Sequence, residues 1–305
     1  MQDSMTKVAK HQAGLALLCA VTLLLGWRPL VDTLGLAFRD DEFTYILLIL
    51  PVSVALIYLE WQPMLRTMLA LSVRAGCAFL AIAALIACAS LVWSATLPFD
   101  VQLTIKMVAL VLSWIGAFVL CFGSRASRQA VFPLCFLFGL VPIPLLALNG
   151  IIALLQLGSA WAACVLFALF GIPVTQDGVV LTIPGLTLQV AQECSSIRSS
   201  SMLLVTTMVL AQLLLRSRWR KALLIGLAVP LSVAKNGLRV FTIAMLSTHV
   251  DRGYLTGRFH HQGGIVFFAI ALIVIFGALW ILRRGEDSPP ASDRSPVKAL
   301  ATGDE

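Results

Sequence analysis

The chain has 305 residues, of which 59% are hydrophobic and only 12% charged, and its mean hydropathy is +0.94. Soluble domains carry about a quarter charged residues, so this composition excludes a water-soluble globular protein. The net charge of +7 does not point to nucleic acid. The basic residues sit in short clusters between apolar runs, as the positive-inside bias requires, and no basic stripe interleaved with aromatics occurs.

A helix crossing a hydrocarbon core of ~30 Å needs about 20 mostly apolar residues. In chain order, the apolar runs predict eight spans at about 13–36, 44–60, 75–94, 107–123, 130–148, 197–215, 222–246 and 264–282. The first run follows Lys7, Lys10 and His11 and lacks a clean small-residue cleavage site. It reads as a retained span, with a signal peptide as the alternative. Basic clusters at Lys7/Lys10, Arg66/Arg74, Arg125/Arg128, Arg216–Lys221 and Arg283/Arg284 mark cytoplasmic ends, and Arg39-Asp40-Asp41-Glu42 reads as an acidic outer loop. The stretch 149–170 is apolar enough to span, but an even number of crossings must separate Arg128 from Arg216. It is therefore expected as an interfacial or re-entrant helix on the outer side, entered at Pro142, Pro144 and Asn149 and left at Gly171-Ile172-Pro173.

Between that helix and the sixth span, Val179–Ile183 and Leu186–Val190 flank Pro184-Gly185, which predicts a small extracytoplasmic β-hairpin. The expected architecture is an all-α polytopic membrane protein of about eight transmembrane helices with an interfacial helix and a hairpin. A single transmembrane domain over residues 1–285 is followed by a polar, Pro/Ser-rich cytoplasmic tail over 286–305.

Three polar motifs interrupt the apolar pattern. Glu193-Cys194-Ser195-Ser196-Ile197-Arg198 opens the sixth span. A thiol there meets the positive end of the helix dipole and unpaired N–H groups, which favour thiolate and can hold an oxyanion. Alone, the motif reads as a helix cap with Ser195 and Ser196 satisfying the first amides. The other six cysteines (Cys19, Cys77, Cys88, Cys121, Cys135, Cys164) lie in apolar runs as small hydrophobes. No Cys-x-x-Cys or Cys/His ligand spacing occurs, so neither a metal nor a cofactor is expected.

The second motif, Lys235-Asn236-Gly237-Leu238-Arg239, lies inside the seventh span. An always-charged guanidinium in an apolar helix is a functional-site candidate, against the alternative of snorkelling to the outer headgroups. The third, Phe259-His260-His261-Gln262-Gly263-Gly264, heads the eighth span. Imidazole exchanges protons near neutral pH, although histidines at a helix head also simply face water. The alternation of spans brings Cys194, Arg239 and His260 to the same outer side. Nucleophile, cationic stabiliser and proton carrier on one face are the parts of an acyl-transfer site.

These motifs resemble the exosortase/archaeosortase family over most of the chain, from Asp40 to Phe268. Asp40-Asp41-Glu42-Phe43-Thr44-Tyr45 looks like the family's acidic-aromatic lead-in to a span. Gly171-Ile172-Pro173-Val174, Asp177-Gly178 and Gln189-Val190-Ala191 look like the segment before its cysteine. Cys194-Ser195-Ser196-Ile197 matches the family's usual Cys-Ser-Gly-Ile, with Ser196 in place of the glycine. Asn236-Gly237-Leu238-Arg239 matches its Asn-x-x-Arg, and His260 with Gly264 and Phe267-Phe268 matches its histidine helix.

The resemblance implies a membrane cysteine protease or transpeptidase in the bacterial inner membrane, with its site on the extracytoplasmic side. Its partners would be membrane-anchored proteins with a C-terminal sorting signal: a short Pro-Glu-Pro-like motif, a transmembrane helix and a basic tail. A link to surface polysaccharide is expected with it. Cys194 would form a thioester, His260 (with His261 as the alternate) would move protons, and Arg239 would steady the oxyanion or substrate. Asn236, Ser195 and Arg198 would support them. The competing readings are a transporter or lipid-binding protein that uses the outer basic cluster, and a structural assembly protein for polysaccharide export.

On the expected topology, an impermeant maleimide added from outside labels Cys194 while the six other cysteines resist. Labelling of Cys194 only after permeabilisation would reverse the orientation.

Overall fold

In the computed structural model, residues 2–61, 73–190, 197–249 and 264–287 are described. Helices α1 (Gln2–Leu25) and α2 (Trp27–Arg39) meet at Gly26 with a bend of 74°. A 3₁₀ turn at Asp41–Phe43 leads into α3 (Ile46–Leu59), followed by α4 (Val73–Val92) and α5 (Phe99–Gln129). Next come α6 (Val131–Phe136), which continues into a 3₁₀ turn at Leu137–Leu140, and α7 (Leu145–Leu169). Strands β1 (Thr175–Asp177), β2 (Val180–Ile183) and β3 (Leu186–Gln189) precede α8 (Ile197–Leu214), α9 (Arg218–His249) and α10 (Gly264–Asp287).

Among the described residues, seven helices are long and apolar enough to cross a bilayer, and up to eight if the bent pair counts as one span. The protein is a polytopic all-α membrane protein with a small sheet. The sheet has three strands in the order β1-β2-β3, one more than the expected hairpin. β1 pairs antiparallel with β2 in the register Thr175 to Thr182. Gly178 and Gly185, both at positive φ, make its turns.

The fifth crossing is placed differently from the expectation. The run 130–148 is not one helix: α6 and its 3₁₀ turn stop at Leu140, and Pro142 and Pro144 break the backbone ladder. Thr104 donates its hydroxyl to the carbonyl of Pro142 at 2.9 Å, and the Asp100 carboxylate accepts the N–H of Leu145 at 2.8 Å. The helix that starts there runs for 25 residues, about 37 Å at ~1.5 Å per residue. It is long enough to cross, where an interfacial helix over 149–170 was expected. The charge parity holds because the crossing moves from 130–148 to 145–169 without changing the count. Similarly, the first expected span, 13–36, is broken at Gly26. There an added Cβ would meet Leu110 at 2.8 Å.

The described chain groups into two compact units: Met1–Gly158 with Gln189–Ser201, and Ser159–Leu188 with the chain from Met202. The first is built around α5, the most enclosed span, with 61% of its apolar window buried. Small residues bring α4 and α5 together: a Cβ on Gly76 would lie 2.6 Å from Leu120, and one on Gly116 would lie 3.0 Å from Phe79. Gly123 has φ 79° and ψ 167° and ends the regular part of α5, where the sequence placed the end of that span.

The second unit packs α8, α9 and α10 around Leu203, Ala211, Leu215, Leu224, Ala271, Ile275 and Leu279. The helix that carries the Asn-x-x-Arg motif is fixed against α7. Phe241 packs edge-to-face against Phe167 and tilted against Phe170, with centroids 5.0 and 5.1 Å apart. Gly237 approaches so closely that a Cβ there would lie 2.5 Å from the Cβ of Ala162. Gly226 on the same helix has nothing within 4 Å.

This contrast predicts opposite signs for one substitution. Gly226→Ala raises stability by about 0.5–1 kcal/mol by removing backbone freedom from the unfolded chain. Gly237→Ala lowers it by about 1–3 kcal/mol through overpacking. Thermal unfolding of the two variants in one detergent measures the pair, and equal shifts would refute the close α7–α9 contact.

Candidate functional site

Two hydrogen bonds in the first unit flank, in the sequence, the segment that carries the thiol. On its near side, Gln156 of α7 donates its side-chain amide to the carbonyl of Val190 at 3.1 Å, and Val190 is buried. On its far side, Arg198 in the first turn of α8 donates to the carboxylate of Asp41 at 2.6 Å. Cys194, Ser195 and Ser196 fall between these two bonds in the sequence and, like His260 and His261, outside the described residues. The Arg198–Asp41 pair is largely exposed, at 52% and 78%, so it contributes only about 0–1 kcal/mol. It joins two segments 157 residues apart in the chain, at the start of α8.

Arg239 lies on α9, about 15 Å from the helix's last residue, His249, at ~1.5 Å per residue. Its exposure is 6%, with Asn236 at 1% and Lys235 at 6%. Ser232, also buried at 3%, extends the polar set. Positions 232, 235, 236 and 239 follow the helical i, i+3, i+4, i+7 spacing and form one polar face. That face runs from Arg239 about 10 Å deeper to Ser232. Snorkelling does not describe it, because a snorkelling head reaches water and these side chains are enclosed. The opposite side of α9 carries Gly237 and Phe241 against α7.

At the head of α10, a Cβ built on Gly264 would lie 3.9 Å from Nη1 of Arg239. The guanidinium therefore rests against the first residue of α10, the helix that follows the histidine motif in the sequence. The structure thus sets Arg239 against the start of α10 within the second unit, with Asn236 and Lys235 on the same buried face of α9, and pairs Arg198 with Asp41 in the first.

Two residues were not singled out from sequence. Ser232 was missed although the same helical spacing points to it. Asp41 was read as part of an acidic outer loop and not as the partner of Arg198, a pairing that no spacing rule reaches. Among the described residues, no group of three or more His, Cys, Asp or Glu side chains is placed to hold a metal ion.

A search of curated proteins and a search of solved structures each found no match. The family model described as transmembrane exosortase matches residues 37–277, which hold the acidic lead-in, the cysteine segment, the Asn-x-x-Arg helix and the head of α10. With that match over most of its length, a polytopic helical fold and a buried arginine against the last helix, the chain belongs to the transmembrane exosortase family, membrane proteins of sorting-signal processing.

Proposed function

We propose that the protein is an intramembrane cysteine endopeptidase or transpeptidase that removes C-terminal sorting signals from exported, membrane-anchored proteins. The observation that carries this reading is Arg239, a guanidinium 6% exposed inside a spanning helix and set against the head of α10. A charge at that depth is costly and is retained for function.

The Cys194 thiolate attacks the scissile carbonyl carbon, and the carbonyl oxygen takes the negative charge. Arg239, with N–H groups at the start of α8, stabilises that oxyanion. As the tetrahedral adduct collapses, the C–N bond breaks and the leaving amine takes a proton from His260, with His261 as the alternate. The acyl group remains on sulfur as a thioester. Water or an acceptor amine then attacks the thioester, the C–S bond breaks, and Cys194 leaves as the thiolate while His260 takes the proton of the attacking group, which restores the starting state. Asn236 and Arg198 support this site: Asn236 from the polar face of α9, and Arg198 through Asp41 at the start of the cysteine helix. The site faces the extracytoplasmic side of a bacterial inner membrane. Its substrates carry a short motif, a membrane helix and a basic tail, and the product is passed on in connection with surface polysaccharide.

A second reading has its own support. Lys235 and Arg239 are both buried on one face of α9, which also suits a transporter or lipid-binding protein that takes an anion at that depth. The thiol separates the two readings, since anion binding does not need it.

In cells that co-express a reporter with such a C-terminal signal, Cys194→Ala abolishes cleavage while the protein still accumulates in the membrane. Unchanged maturation in that variant would remove the protease reading. Arg239→Lys lowers the cleavage rate by about 10²-fold, because a point charge cannot replace two parallel N–H donors. A rate within about twofold of wild type would assign Arg239 to packing or bulk charge.

A further inference from the structure

The end of the second unit opposite the proposed chemistry holds a second polar assembly, in which α9 and α10 cap one another. The Glu286 carboxylate accepts the N–H of Arg216 at 3.0 and 3.1 Å and that of Ser217 at 2.7 Å, just before α9. In return, Arg220 donates to the carbonyls of Leu282 and Gly285 at 3.0 and 2.9 Å in the last turns of α10, where the final four carbonyls, Gly285's among them, lack intrahelical donors. Arg220 also lies 4.0 Å from Glu286. The one carboxylate in the recess is thus engaged by two amides and a guanidinium.

Around it, Arg216, Arg218, Arg283 and Arg284 remain exposed to the surface. Trp219 and Trp280 are exposed as well, at 61% and 56%, and Arg284 stacks 3.7 Å over the Trp280 ring. Such rings belong at the headgroup level of a bilayer, and the cluster's charge assigns this end to the cytoplasmic leaflet.

A recess of about 160 Å³ opens here, lined by Leu213, Leu214, Leu215, Arg216, Arg283 and Glu286. Arg216 and Arg283 reach it from two different segments. Leu213 and Leu214, half and one-third exposed, lie just before Arg216 on the last turn of α8 and continue the lining on the membrane side. We propose that this recess seats one anionic phospholipid of the cytoplasmic leaflet. The two guanidinium groups take the phosphate, for which their planar donor pairs are suited, and an acyl chain follows the leucines of α8. A soluble phosphate has no use for the leucines, and a zwitterionic lipid brings a cation into a strongly basic rim. The seat bridges the segment before α9 to the end of α10, so its occupant reinforces the mutual cap.

The test uses the full chain, purified from equal mixtures of phosphatidylglycerol and phosphatidylcholine and analysed by native mass spectrometry. The wild-type protein retains phosphatidylglycerol in preference by roughly tenfold. Arg216→Gln and Arg283→Gln, made separately so that misfolding of one leaves the other, each lose most of that preference. Arg218→Gln retains it, because Arg218 belongs to the same basic cluster but does not line the recess. Equal retention of both lipids overturns the proposal. So does a loss in Arg218→Gln as large as that in Arg216→Gln, which would mean diffuse charge with no seat. Thermal protection by glycerol phosphate or inorganic phosphate that matches the lipid's would identify a soluble ligand and overturn the lipid as well.

Discussion

Everything at the candidate site follows from the free energy of keeping a guanidinium inside an apolar helix. Transfer of an arginine to the centre of a membrane helix is unfavourable by about 2.5–3.5 kcal/mol on insertion scales and by more in an isolated helix. The fold meets that penalty by enclosure in protein. Arg239, Asn236, Lys235 and Ser232 lie on one face of α9, and each is at most 6% exposed. The enclosure in turn fixes the packing of the same helix. With one face polar, α9 is held on the other by Gly237 against Ala162 and by Phe241 between Phe167 and Phe170. Small residues and aromatic rings do this work because lipid tails provide no hydrophobic drive for helix association.

Backbone chemistry sets the path on either side of the cysteine segment. A polar backbone group at membrane depth must find its partner within the protein, and at several ends of elements in this chain side chains supply that partner. Asp100 takes the first amide of α7, Thr104 takes the carbonyl of Pro142, and Gln156 takes the carbonyl of Val190. Glu286 and Arg220 do the same at the far end, where α9 begins and α10 stops. The two ends of the second unit thus differ in kind. One buries charge in an enclosed face, and the other displays it in a basic rim with exposed tryptophans.

Much of this was legible without coordinates. Composition alone demanded a polytopic membrane protein, since a chain with 12% charged residues cannot cover itself with water. Short motifs in chain order, from Asp40 to Phe268, carried the family, and the family match spans them. The charge clusters fixed how many crossings separate Arg128 from Arg216. They did not fix which apolar run makes the crossing, because 130–148 and 149–170 are both apolar enough. The choice of Leu145–Leu169 rested on Pro142 and Pro144 acting together with Asp100 and Thr104, residues some 40 positions earlier. No local window contains that information.

Sequence by itself determined the membrane class, the number and order of the apolar segments, and the residue types able to carry chemistry, because each depends on local composition or on short motifs. Only the tertiary structure decided that Arg239 is enclosed and set against Gly264, that Arg198 pairs with Asp41, and that Gly26 breaks the first run. Those outcomes depend on which distant side chain fills the space beside each residue. Periodicity reports the face a residue occupies and leaves open what lies against that face.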